Sequence, residues 1–226
     1  LTTYNSVLRL RSKQLLQSTR AFKARGFKVK RCEFCLIPQT ECICSQRPKI
    51  SSQCAFCLLM YKDEYYKPSN TGRIIADVIP DNHAFLWHRV TPEPAFLNLL
   101  QHPDYAPIVV FPHEYAQPEK CIDSPLDLPA VQKGKTPLFI MLDGTWREAK
   151  KMFKSPSLAK LPVLGIQPQS TSNYRLREAA QDHQLCTAEV AIEILRLAND
   201  HLAANALAKY FEVFREAYIV GKPHLK

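Results

Sequence analysis

Glycine is scarce in this chain, with six residues among 226. A glycine-rich phosphate cradle is hard to build from so few. Neither the G-x-G-x-x-G dinucleotide signature nor the phosphate-binding P-loop occurs. Long apolar runs are missing too. No stretch approaches the ~20 residues of a bilayer-crossing helix, so no membrane partner is expected. The opening Leu1-Thr2-Thr3-Tyr4 lacks a secretory layout, and a cytoplasmic location is expected. Acidic side chains are absent from residues 1–31. That segment carries Arg9, Arg11, Lys13, Arg20, Lys23, Arg25, Lys28, Lys30 and Arg31. The other 195 residues hold 21 basic and 21 acidic side chains, so the net charge of +9 sits entirely in the N-terminal arm. Segregated charge of this kind points to a polyanion such as nucleic acid. A solvated helix face is the plainer alternative.

Cysteine, by contrast, is abundant, with eight residues. Without a secretion signal, metal ligation is a better expectation than disulfides. Cys32, Cys35, Cys42 and Cys44 follow one another as C-x2-C-x6-C-x-C. Four thiolates suit a closed, structural Zn²⁺ site. Cys54 and Cys57 form a second C-x2-C that competes as a ligand source. Cys57 falls in a predicted strand, where alternation would turn positions 54 and 57 to opposite faces. Cys57 is therefore read as a core thiol and Cys54 as incidental.

The remaining pattern alternates strands with helices, which argues for an α/β fold with a mainly parallel sheet flanked by helices. A helix is expected over residues 3–25, with Val7, Leu8, Leu10, Leu15, Leu16 and Phe22 as its apolar positions. Strands are expected at 56–60, 84–87, 107–111, 138–142 and 161–166, and short helices at 73–79, 94–100 and 146–154. Residues 112–136 and 167–185 read as loops. Residues 187–218 read as two helices broken near Asn199-Asp200, burying Val190, Ile194, Leu197, Leu202, Leu207, Phe211, Phe214 and Tyr218. The predicted organisation is a basic helical arm (1–27), a small zinc module (28–50) and a larger α/β domain (51–226).

The most informative local feature is Asp143-Gly144-Thr145-Trp146. It joins the apolar run Leu138–Leu142 to a helical pattern, and so reads as a strand-to-helix turn. In open α/β sheets, ligands bind at such carboxyl ends. Gly144 would allow close backbone approach and Thr145 can cap the helix. An ordinary turn with a core Trp explains the same residues equally well.

Taken in order, five segments resemble the DTW-domain family. They are the cysteine cluster at 32–44, Lys67-Pro68-Ser69-Asn70-Thr71-Gly72-Arg73, the Asp143–Trp146 turn, Tyr174-Arg175-Leu176-Arg177, and Cys186-Thr187-Ala188-Glu189. The resemblance spans about residues 28–200. It implies a tRNA-uridine aminocarboxypropyltransferase that uses S-adenosylmethionine. It also implies a SPOUT-like fold whose C-terminal part binds the cofactor in a knotted region. Asp143 would then be the catalytic carboxylate, either a base for the uracil N3 proton or an anchor for the cofactor. A base role would suit a raised pKa beside Trp146. Ser69, Asn70, Thr71, Gly72, Gly144, Thr145, Trp146, Leu185, Thr187 and Glu189 would surround the cofactor. The basic arm, Arg73, Arg175 and Arg177 would hold tRNA; no protein partner is implied. Two other readings stay open: a non-enzymatic zinc-containing RNA-binding protein, and a SPOUT-like RNA methyltransferase.

Overall fold

The computed structural model describes residues 4–19, 29–166 and 185–220. Its strands are β1 (Ala55–Met60), β2 (Asn82–Leu86), β3 (Tyr105–Val110), β4 (Cys121–Ile122), β5 (Thr136–Asp143) and β6 (Val163–Leu164). Its helices are α1 (Ser6–Gln17), α2 (Gly72–Val78), α3 (Pro94–Leu100), α4 (Pro129–Gln132), α5 (Trp146–Phe153), α6 (Thr187–Leu197) and α7 (His201–Val220). The strands form a six-stranded sheet in the order β2-β1-β5-β3-β6-β4, with every pairing parallel. Parallel sheets need cover on both faces. Accordingly β1, with the sequence Ala-Phe-Cys-Leu-Leu-Met, is buried along its whole length.

Alternation along the strands divides the core into two layers. Phe56, Leu58, Met60, Phe139 and Met141 pack with α1, α2, α6 and α7 on one face. Ala55, Cys57, Leu59, Leu138 and Ile140 pack with α3 and α5 on the other. Cys54 and Cys57 lie in these opposite layers, as alternation predicts. The two C-terminal helices meet where the sequence places the break. Asn199 takes a left-handed φ of 57°. The Asp200 carboxylate accepts from the Ala203 N–H at 3.3 Å and from the Ser52 hydroxyl at 2.7 Å, tying the hairpin to the chain entering β1. No helix among the described residues is long and apolar enough to cross a membrane.

Four expectations need correction. The expected N-terminal helix is observed from Ser6, where Asn5 caps Leu8, to Gln17, where Ser18 turns extended; residues 20–25, with Phe22, lie outside the described residues. Its buried face is Val7, Leu8 and Leu10, pressed on β2 and α2, whereas Leu15 and Leu16 are exposed. Leu197 and Leu202 are exposed as well, because they flank the turn at Asn199. Finally, the loop expected over 112–136 contains β4 and α4. A two-residue strand exists only through its pairing with β6, which leaves no periodic trace in the sequence. The expected C-terminal knot depends on residues 167–184, which lie outside the described residues.

Candidate functional site

β5 lies between β1 and β3, and it ends at Asp143 directly opposite Met60 of β1. Here the Asp143–Trp146 turn forms. Thr145 and Glu148 form a capping box at the start of α5, where the Thr145 backbone N–H and hydroxyl each donate to the Glu148 carboxylate at 2.7 Å. Gly144 is closely packed as well, since an added Cβ would lie 3.1 Å from Glu148 and 3.2 Å from Tyr61.

Asp143 is buried at 4% exposure. The Asn70 amide donates to one carboxylate oxygen at 2.7 Å, and the Thr187 hydroxyl donates to the other at 3.3 Å. Asn70 in turn accepts from the Arg73 N–H at 3.0 Å, and Thr71 accepts from the Ala188 N–H at 3.4 Å. Gly72 is required by this arrangement, because a Cβ there would lie 2.5 Å from an Asp143 oxygen. The Asn70–Gly72 loop and the start of α6 are thus clasped around one carboxylate.

Trp146 faces the other way. Strand alternation sends Asp143 toward the α2 and α6 layer, while α5 packs on the opposite face. The indole stacks on Phe111 at 5.3 Å between ring centroids and meets Tyr115 edge-on at 5.7 Å. Phe111 continues the stack to Phe153 at 4.5 Å. Trp146 is 39% exposed, so it is neither a buried helix anchor nor the neighbour of Asp143 that the turn alone suggests.

Beside Trp146 opens a cavity of about 530 Å³. It is built at the carboxyl ends of β3, β5 and β6 and closed by the start of α6. Gly144, Trp146, Leu185 and Thr187 line it, as expected from the sequence. Asn70, Thr71 and Gly72 sit behind the rim with Asp143, fully buried, and Ser69 is partly exposed in the same loop. Glu189 caps α6 by accepting from the Cys186 N–H at 2.8 Å. Sequence reasoning missed Phe111, His113, Glu114 and Gly165, which also line the cavity. Applying the carboxyl-end rule to the strands ending at 111 and 166, and not only at 143, would have found them. Gly165 admits the His113 ring, since a Cβ would meet that ring at 2.6 Å. Its N–H donates to His113 Nε2 at 2.8 Å.

The four clustered cysteines come together. Their sulfurs all lie within 4.8 Å of one another, and Cys54 and Cys57 are not among them. The Cys32–Cys44 and Cys35–Cys42 sulfur separations are 3.6 and 3.8 Å. A tetrahedron with metal–sulfur bonds of about 2.3 Å has edges of about 3.8 Å, so the set fits a metal ion. Burial alone would raise the Cys32 thiol. Backbone N–H groups of Cys35 and Phe34, with the Cys42 and Cys44 thiols, bring it down to about 7 instead.

The described basic residues differ in their surroundings. Arg73 is 1% exposed and its guanidinium lies 2.9 Å from Asp77, so it does not reach a phosphate. Arg47, just beyond the cysteine cluster, binds the same carboxylate at 2.6 Å, and Asn5 donates to it at 2.7 Å. Arg11 is half-buried, which lowers its pKa. Lys13 pairs with Glu93 at 3.2 Å, and Arg31 donates to the Leu36 carbonyl at 3.1 Å. Arg9 and Lys30 are exposed. Arg20, Lys23, Arg25, Lys28, Arg175 and Arg177 lie outside the described residues.

Against known proteins, the family model described as DTW domain matches residues 29–219. No solved structure matches the chain.

Proposed function

Since the chain belongs to the DTW-domain family, we propose that it is a tRNA-modifying enzyme, transferring the 3-amino-3-carboxypropyl group of S-adenosylmethionine to N3 of a tRNA uridine. The observation that carries this reading is the cavity at the carboxyl ends of β3, β5 and β6, lined by the motif residues Gly144, Trp146 and Thr187. Its volume is within the range of small-molecule sites, roughly 300–1,000 Å³. Its walls, Phe111, Met141, Leu142 and Val190, are apolar, as suits a nucleoside moiety.

S-adenosylmethionine would supply a γ-carbon already activated by its sulfonium: the N3–C bond forms, the C–S bond breaks to release methylthioadenosine, and the N3 proton passes to solvent. The chain's part is then mainly orientation. Trp146 offers a partly exposed indole at the mouth of the cavity. Asp143 fixes the rim: through Asn70 and Thr187 it holds the 70–72 loop against the start of α6. With both oxygens accepting hydrogen bonds in a buried setting, its geometry favours a positioning role over proton abstraction. Leu185 and Thr187 close the cavity from the α6 side. Ser69, Asn70, Thr71, Gly72, Thr145 and Glu189 set the backbone around it. We assign the cysteine site to structural Zn²⁺, and residues 28–50 to the module that it staples.

Calorimetry with S-adenosylmethionine tests the cofactor site. Binding by the intact chain, weakened at least ten-fold by Trp146→Ala, is the expected result. Absence of binding would favour the non-enzymatic zinc-containing RNA-binding alternative.

A further inference from the structure

Helix α5 begins at the cavity mouth, and its eight residues with the following Lys154 hold Arg147, Lys150, Lys151 and Lys154 against a single acid, Glu148. At helical spacing, Arg147, Lys151 and Lys154 share one face (i, i+4, i+7). Trp146, Lys150 and Phe153 share the neighbouring face by the same spacing. All three residues of the basic stripe are exposed. Among the described residues, none of them forms an ion pair or a side-chain hydrogen bond. The one acid is engaged, since Glu148 accepts from Thr145 in the capping box. The helix dipole favours Lys151 and Lys154 at the C-terminal end of α5 but not Arg147, which stands in the first turn.

The second observation is aromatic. Tyr115 and Trp146 are each 39% exposed. The Lys150 ammonium rests over both rings, 4.5 Å from the Tyr115 centroid and 5.2 Å from that of Trp146. Exposed contacts of this kind hold weakly, so the ammonium can move to a phosphate and leave ring faces to a base. Cationic side chains interleaved with exposed aromatic faces are the recognition chemistry of single-stranded nucleic acid.

We propose that the α5 face bearing Arg147, Lys151 and Lys154, with Tyr115 and Trp146 beside it, is the docking surface for the unpaired RNA strand that flanks the target base. The proposal rests on the reading of the adjoining cavity as the transfer site. It adds an RNA contact at the cavity mouth, where an unstacked base must arrive.

The test uses the intact chain and the triple variant Arg147→Gln/Lys151→Gln/Lys154→Gln, with tRNA affinity measured across a salt series. Losing three phosphate contacts should lower the slope of log K against log salt by about 2. Calorimetric affinity for S-adenosylmethionine and the melting temperature should stay at wild-type values. Tyr115→Ala should weaken tRNA binding about ten-fold with the slope retained, and Tyr115→Phe should restore it. An unchanged slope in the triple variant, or unaltered binding by Tyr115→Ala, overturns the interface. Failure of the functional reading looks different: wild-type protein would bind tRNA with the predicted α5 dependence yet leave no adduct on it.

Discussion

A single buried carboxylate organises the candidate site. Asp143 accepts from Asn70, 73 positions earlier, and from Thr187, 44 positions later. Removing it leaves buried donors unmatched, at about 1–3 kcal/mol for each unsatisfied group. Asp143→Ala is therefore expected to abolish transfer and to lower the melting temperature, and near-normal turnover would remove Asp143 as an essential residue. Gly72→Ala makes the converse test. Its Cβ would press on the carboxylate at 2.5 Å, and overpacking of this kind costs typically 1–3 kcal/mol. Thermal melting and transfer rate should both fall; a variant with wild-type values for both would show that the clasp yields freely. The turn itself was legible in the sequence, because an apolar run followed by Asp-Gly-Thr is local chemistry. The orientation of Asp143 away from Trp146 was not, because it depends on which sheet face each neighbouring helix covers.

At the scale of elements, the cysteine module is the most legible part of the chain. Its spacing over thirteen residues already implies the tetrahedral set, and the fold places the four sulfurs together. The competing pair was also resolvable, because alternation predicts the opposite layers that Cys54 and Cys57 occupy. Cys35→Ser should therefore lower bound zinc, measured by metal analysis of purified protein, and lower the melting temperature. Cys54→Ser should leave zinc content unchanged; a loss there would reopen the ligand assignment. By contrast, β4 and the packing of the His113 ring on Gly165 were hidden. Short strands and loop ends owe their place to distant partners, as Gly165 does to His113.

Across the whole molecule, a buried polar cluster joins the module to the site. Arg47 follows the last cysteine of the cluster and shares Asp77 with Arg73, whose own backbone N–H holds Asn70 against Asp143. Burial pushes the Asp77 carboxyl up, while Arg73 and Arg47 pull it back down. Deleting one partner of such a set leaves an uncompensated buried charge, at about 3–5 kcal/mol. Asp77→Ala should accordingly lower the stability of the whole domain in denaturant unfolding by an amount of that order; a change below about 1 kcal/mol would show that the cluster is not structural. Composition placed the net positive charge in the N-terminal segment, but the fold exposes a second basic surface on α5, beside the cavity. A balanced total concealed it, because charge counted along a sequence ignores which residues share a face. Group transfer to tRNA is read out by mass spectrometry of nuclease-digested tRNA after incubation with the protein and S-adenosylmethionine. The expected product is a uridine carrying the full 3-amino-3-carboxypropyl chain, formed together with methylthioadenosine. A uridine heavier by a methyl group alone, or no modified nucleoside, would contradict the proposed transfer.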